Sequence, residues 1–158
     1  MHAALLTSPI GPLYVEAEGD ALTRLYTDGH RHQARRDDGR FAAVAVQLDE
    51  YFAGDRTTFD LPLAQYGTPF ELRVWEALRA IPYGETRSYG ELARELGSSA
   101  RAVGRANGRN QISIIVPCHR VIGANGSLTG YAGGLDAKRA LLEHEQGVGS
   151  LYGVPHTR

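Results

Sequence analysis

The sequence predicts an α+β fold in two parts: a small sheet with one helix, then a mostly helical half. Three observations carry this reading. Residues 3 to 27 read as short strands joined by tight turns. Phe41 to Phe52 sets Phe41, Val44, Leu48, Tyr51 and Phe52 on one helical face. From Thr68 onward, helix start signals recur at Thr68-Pro69, at Ser88 with Glu91, and at Ser99. At 158 residues the chain can bury a substantial core.

Taken in order, Pro9-Ile10-Gly11-Pro12 and Glu18-Gly19-Asp20 are turn sequences. Leu13, Val15 and Ala17 alternate between them, and Leu22 and Leu25 follow more loosely. Residues 28 to 40 are polar and read as an exposed loop with His30 and His32 solvated, since no third metal ligand is suitably spaced. Gly54 ends the 41–52 helix, and Phe59, Leu61 and Leu63 alternate as a further strand. These elements make a first domain over 1–63. Residues 64–67 are the linker, 68–147 a second domain, and 148–158 a flexible tail.

In the second domain, Thr68 caps a helix with Pro69 at its first position. Phe70, Val74, Leu78 and Ile81 form its apolar face, Trp75 lies beside it, and Pro82 stops it. Ser88 and Glu91 form a capping box for a short helix that buries Leu92 and Leu96. Gly97-Ser98 turns the chain, and Ser99 caps a second helix through about Gly108, giving a helix-turn-helix pattern. Asn125-Gly126 reads as a hairpin turn, and Gly130-Tyr131-Ala132-Gly133-Gly134 as a flexible loop. Asp136 is expected to cap a last helix, with Leu141 and Leu142 inward and Gly147 after it.

The net charge of −1 gives no bulk signal for nucleic acid. Its distribution does: no Asp or Glu occurs between Leu96 and Leu135, a stretch bearing Arg101, Arg105, Arg109 and Arg120. Arg101, Arg105 and Arg109 recur every four residues and line one side of the second helix. Gly104 inside that helix costs about 1 kcal/mol against Ala. Small residues flanked by arginines suit a helix pressed against a phosphate backbone or into a narrow groove. No apolar run approaches a membrane span, the first residues are too short for a signal segment, and a cytoplasmic protein is expected. A single cysteine excludes internal disulfides and multi-thiolate zinc sites, so no structural metal is expected; no cofactor is expected either.

That cysteine lies in Ile114-Ile115-Val116-Pro117-Cys118-His119-Arg120-Val121-Ile122. The β-branched residues on both sides read as a buried strand broken at Pro117. Arg120 and His119 supply positive charge beside the thiol, which would favour the thiolate. From these residues alone, Cys118 is either a reactive nucleophile or a small buried hydrophobe.

The Val116-Pro117-Cys118-His119-Arg120-Val121 segment resembles the active-site motif of the 6-O-alkylguanine-DNA alkyltransferases. The likeness extends from Pro69 to Gly147. It takes in Ile81-Pro82-Tyr83-Gly84-Glu85-Thr86, Ser88-Tyr89, Arg101-Ala102-Val103-Gly104, Asn110, Tyr131-Ala132-Gly133-Gly134 and His144-Glu145. The first 63 residues are similar in outline only, through Ser8 to Leu13 and Tyr51 to Gly54, and imply a ribonuclease H-like domain. The resemblance implies a DNA repair protein that flips out 6-O-alkylated guanine, and 4-O-alkylated thymine with it. The alkyl group would pass irreversibly to Cys118 in one turnover. Duplex DNA would be the partner of a monomeric protein, with cooperative and independent binding along the DNA both left open.

By the same resemblance, Cys118 is the nucleophile, His119 its base through a bound water, and Glu145 the group that orients His119, while Asn110 braces the site. Arg101 would fill the gap left by the flipped nucleotide. Ser98, Ala102, Gly104 and Arg105 would lie along the minor groove. Tyr89 would press on the target phosphate and help protonate the leaving base. With Val121, Tyr131, Ala132 and Gly133 it would line the guanine pocket. Gln111 stands where the family usually has Pro, which loosens the turn into the cysteine segment. Three other functions compete: an inert binder of alkylated DNA, a cysteine hydrolase, and a helix-turn-helix regulator. The regulator is disfavoured because the second helix lacks the Gln and Ser residues that would read bases.

Overall fold

Early alternation produces three antiparallel strands in chain order, β1 (His2–Leu6), β2 (Leu13–Glu18) and β3 (Ala21–Tyr26). The computed structural model describes residues 2–33, 39–128 and 134–147. Tyr131, Ala132 and Gly133, part of the 28–40 loop, and the 148–158 tail lie outside the described residues. Register pairs Ala4 with Val15 and Val15 with Leu25, so these side chains share one sheet face with Leu13 and are buried there. Helix α1 (Ala42–Phe52) covers that face with Val44, Leu48, Tyr51 and Phe52. The polar loop departs from expectation. Gly29–Arg31 is a turn of 3-10 helix, and His32 stacks on Tyr14 with ring centroids 4.5 Å apart instead of standing in solvent.

Phe59, Leu61 and Leu63 do not form a strand. They pack against the core, and only Leu63 makes a single parallel bridge, to Leu22. The outer edge of β3 is thus shared. Leu22 bonds the 62–64 segment, while Leu25 donates to Gln111 O (2.8 Å) and accepts from Ser113 N (3.0 Å). The chain leading to Cys118 is therefore an extra rung on the N-terminal sheet.

The helical half follows its start signals. Thr68 and Glu71 form a capping box for α2 (Pro69–Arg79), and Ser88 and Glu91 one for α3 (Tyr89–Leu96). Ser99 caps α4 (Ala100–Gly108) through Ala102 N. Trp75 of α2 is buried and donates its indole N–H to Ala106 O on α4 at 2.9 Å, locking the two helices. Gly67 makes room for it: a Cβ there would lie 2.6 Å from the Trp75 ring. Two-residue strands β4 (Arg87–Ser88) and β5 (Val121–Ile122) pair in parallel. Asn125-Gly126 therefore makes a local turn closed by Gly123 and Ser127, not a hairpin between strands. Helix α5 (Leu135–Gln146) has Gly134 at its N-cap, with Asp136 in the first turn making no cap bond. One buried cluster joins both halves, running from Val15, Leu25 and Tyr51 to Val74, Ile112 and Leu141.

Candidate active site

The segment before Cys118 is buried, as its apolar residues require, but it is not a strand. Ile114 takes φ 71°, a left-handed conformation costly for a β-branched residue. Asn110 holds this turn. Its amide donates to Val116 O (2.8 Å) and Ile112 O (3.3 Å), and its oxygen accepts from Ile112 N (3.1 Å) and Gln65 (2.8 Å). A side chain thus satisfies carbonyls that a sheet ladder would otherwise take. Gln111 adds to the brace by donating to Tyr66 O at 3.2 Å, which ties the site to the 64–67 segment.

Cys118, His119 and Arg120 form a 3-10 turn, all three buried. With three residues per turn, adjacent side chains diverge by roughly a third of a circle. Cys118 and His119 therefore do not share a face, although they are not opposed as on a strand. His119 is fully buried, and its Nε2 lies 2.7 Å from Glu145 Oε2. An ionised carboxylate only accepts, so Nε2 carries the hydrogen and Nδ1 is the basic nitrogen of the neutral ring. Nδ1 has no hydrogen-bond partner among the described residues.

Arg120 does not face the thiol, contrary to the sequence reading. Its Nε and Nη2 donate to Glu145 Oε1 (2.7 Å) and Oε2 (3.0 Å), and its Nη1 to Ile81 O (2.7 Å). Tyr51 of α1 donates to Glu145 Oε2 at 2.6 Å. Burial alone would raise the Glu145 pKa; the His119 and Arg120 interactions outweigh it and hold the carboxyl well below the usual range.

The thiol goes the other way. Burial pushes the Cys118 pKa up, opposed by hydrogen bonds from Asn110 and Ser113 and by the field of Lys138. The expected lowering is therefore not found: Arg120 is spent on Glu145, and desolvation dominates. Lys138 is itself buried, donates to Val121 O at 2.6 Å, and has its pKa lowered by burial. Its Nζ lies 5.9 Å from the centre of the half-buried Tyr89 ring.

The structure thus brings Cys118, His119, Glu145, Asn110 and Val121 into one buried cluster, with Tyr89 at its edge through Lys138. Ser98, Arg101 and Arg105 are exposed, and Ala102 and Gly104 half-buried, on and just before α4. Gly104 faces Tyr89, whose ring would stand 3.7 Å from an added Cβ. Arg109 lies beyond the end of α4 and pairs with Glu71 at 3.2 Å, so it does not extend the arginine row as an uncommitted cation.

A model of the 6-O-methylguanine DNA methyltransferase DNA binding domain matches residues 69–147, and one of the same family's ribonuclease-like domain matches residues 1–65. The chain belongs to the 6-O-methylguanine DNA methyltransferase family. A methylated-DNA–protein-cysteine methyltransferase of Mycobacterium bovis is 53% identical over 153 residues, covering 92% of this chain and 93% of the relative. A constitutive one from Bacillus subtilis is 47% identical over 146 residues, covering 85% and 88%. Among solved structures, a Mycobacterium tuberculosis OGT in complex with DNA superposes with a TM-score of 0.85 at 54% identity, covering 92% of this chain and 93% of that one.

Within this member of the methyltransferase family, four site residues escaped the sequence reading: Tyr51, Ser113, Lys138 and Asn107, whose amide donates to Cys118 O at 3.3 Å. Of these, Lys138 had a usable signal, shared with the already named Glu145. They fall in phase with Leu141 and Leu142 on the buried face of α5. Among the described residues no group of three or more His, Cys, Asp or Glu side chains could hold a metal ion. No helix among them is long and apolar enough to cross a membrane.

Proposed function

We propose that this protein repairs DNA by taking the alkyl group of 6-O-alkylguanine onto Cys118. Its family and its named relatives are methyltransferases of this kind, and alkyl transfer to protein is their shared activity. The observation that carries the assignment to Cys118 is its setting. It is the chain's single thiol, buried, on a turn held by Asn110 at Val116 O and by Asn107 at Cys118 O, and followed directly by the His119–Glu145 pair.

In this reading the exposed face of α4 lies against duplex DNA, with Arg105 at the phosphates and Ala102 and Gly104 allowing close approach. The alkylated base leaves the stack because its reactive carbon is inaccessible within the duplex, and Arg101 fills the gap. The thiol proton passes through a water to His119 Nδ1, and Glu145 balances the resulting imidazolium. Sulfur attacks the alkyl carbon; the S–C bond forms as the C–O bond breaks. The electron pair stays on the purine, which takes a proton from the Tyr89 hydroxyl; the thiol's proton, released from His119 to solvent, balances the one that restores the Tyr89 phenol. A thioether does not hydrolyse, so each molecule acts once. The same chemistry separates this reading from a hydrolase, which would release its acyl group and turn over. The protein acts as a monomer in the cytoplasm.

Intact-protein mass spectrometry after mixing with methylguanine-containing duplex tests the proposal. One methyl per protein, on Cys118 alone, is expected, with none in Cys118→Ala. Sustained turnover, or methylation elsewhere, would refute it.

A further inference from the structure

The N-terminal half reaches the Glu145 carboxylate through the Tyr51 side chain. Tyr51 lies on α1, 94 residues from Glu145, and is completely buried. Its ring packs among Phe52, Phe59, Tyr83 and His144, with centroids 5.0 to 6.0 Å away. It is held at both ends by consecutive residues of α5. The hydroxyl donates to Glu145 Oε2 at 2.6 Å, and the Tyr51 carbonyl accepts from His144 Nε2 at 2.7 Å.

The Glu145 carboxylate accepts four hydrogen bonds, one from Tyr51, one from His119 and two from Arg120. Three of the four converge on Oε2 and one on Oε1, so donors on both oxygens fix its rotation. Tyr51, His119 and Arg120 Nη2 share Oε2, the oxygen that must stabilise an imidazolium. A neutral donor on that oxygen has a defined chemical effect. It favours the ionised carboxylate, so that a proton arriving on His119 stays on the imidazole instead of passing on to Glu145.

We propose that Tyr51 is a positioning residue for alkyl transfer: by bonding Glu145 Oε2 it fixes the carboxylate against His119 and makes the N-terminal half part of the reactive machinery. The inference rests on the alkyl-transfer reading above, in which Glu145 acts through His119. A second contact supports the same division of labour. The edge of β3 bonds residues 111–113, just before the cysteine turn, so the N-terminal half holds the site from two directions.

The test uses the full chain and two substrates, methylguanine duplex and free benzylated guanine, in single-turnover transfer at saturating substrate. Tyr51→Phe removes one oxygen and keeps the ring. It should slow transfer to both substrates by the same factor, on the order of tenfold to a hundredfold, the range for a hydrogen bond to a charged group. Duplex affinity and free-base affinity should be unchanged. In a Glu145→Gln background the same substitution should cause no further slowing, because the group it acts through is gone. Equal slowing in both backgrounds would mean that Tyr51 is only structural and would overturn the proposal. So would a wild-type rate in Tyr51→Phe while Glu145→Gln is slow, which leaves the alkyl-transfer reading standing. A wild-type rate in Glu145→Gln would instead sink the role of Glu145 and that of Tyr51 with it. Should the phenylalanine variant fail to fold, a fluorinated tyrosine at position 51 keeps ring and hydroxyl but changes the donor's acidity. The transfer rate must then change, and an unaltered rate overturns the proposal.

Discussion

Glu145→Gln removes a charge from the centre of a closed network, and the structure sets the size of the effect. The Glu145 side chain has no exposed surface, and that of Arg120 is 7% exposed. The glutamine amide has the carboxylate's shape, but one of its ends donates, so donors that now converge on Glu145 meet another donor. Arg120 keeps Ile81 O as an acceptor but loses its counter-charge. Breaking a buried pair in this way costs about 3–5 kcal/mol. The retained Ile81 bond places this case near the lower end, which lowers the melting temperature by roughly 6–12 °C for a chain of this size. Transfer should slow by about a hundredfold or more, the scale of losing an effective general base. Thermal melts and single-turnover methyl transfer measure the two effects separately. The pH dependence supplies a further check. The Glu145 pKa is depressed in the folded protein, so its contribution is fully present above the unfolded carboxyl value, about 4.3, and is lost as pH falls through the folded value. The gap in melting temperature should therefore be constant from pH 7 to about 5 and narrow below about 4. A variant that melts with the wild type at pH 7, or a gap that widens in acid, would refute the reasoning.

Other outcomes follow from the same geometry. Because burial raises the Cys118 pKa, the rate of transfer from free benzylated guanine should climb with pH towards the upper thiol range, and a plateau from pH 6 would contradict this. Lys138→Met removes a cation whose field lowers that pKa, so the climb should move to still higher pH. Arg101→Ala should slow duplex repair far more than reaction with the free base, whereas Arg105→Ala should weaken duplex binding in a salt-dependent way; equal loss on both substrates in Arg101→Ala would end the gap-filling role. Gly104→Ala meets the Tyr89 ring at an ordinary 3.7 Å and gains about 1 kcal/mol of helix propensity. It should therefore melt higher yet bind duplex less tightly, and unchanged binding would show that the glycine does not serve DNA approach.

Local signals were legible in the sequence because their causes are local. Thr68 with Glu71, Ser88 with Glu91, and Ser99 cap their helices, since a cap needs only residues within one turn. The failures have a common origin in contacts made across the chain. Ile114 to Val116 are β-branched because they are buried; the same composition would build a strand, and only the Asn110 amide decides otherwise. Phe59 to Leu63 alternate because one side packs on the core, yet a single bridge is all the sheet edge offers them. Arg120 lies two residues from Cys118, but Glu145, 25 residues further on, claims its guanidinium. Proximity in sequence was a poor guide to which charge tunes which group. Phase along a helix is a better one. On α5 the stripe Lys138, Leu141, Leu142, Glu145 follows the spacing of a buried face with a charge at each end. A buried charge is tolerated only where a partner waits for it. For Lys138 that partner is the Val121 carbonyl, and for Glu145 it is the His119, Arg120 and Tyr51 cluster. A charge in phase with an apolar stripe thus marks both a buried site and the need for donors or acceptors brought from elsewhere in the fold. Here one of those donors comes from the N-terminal half.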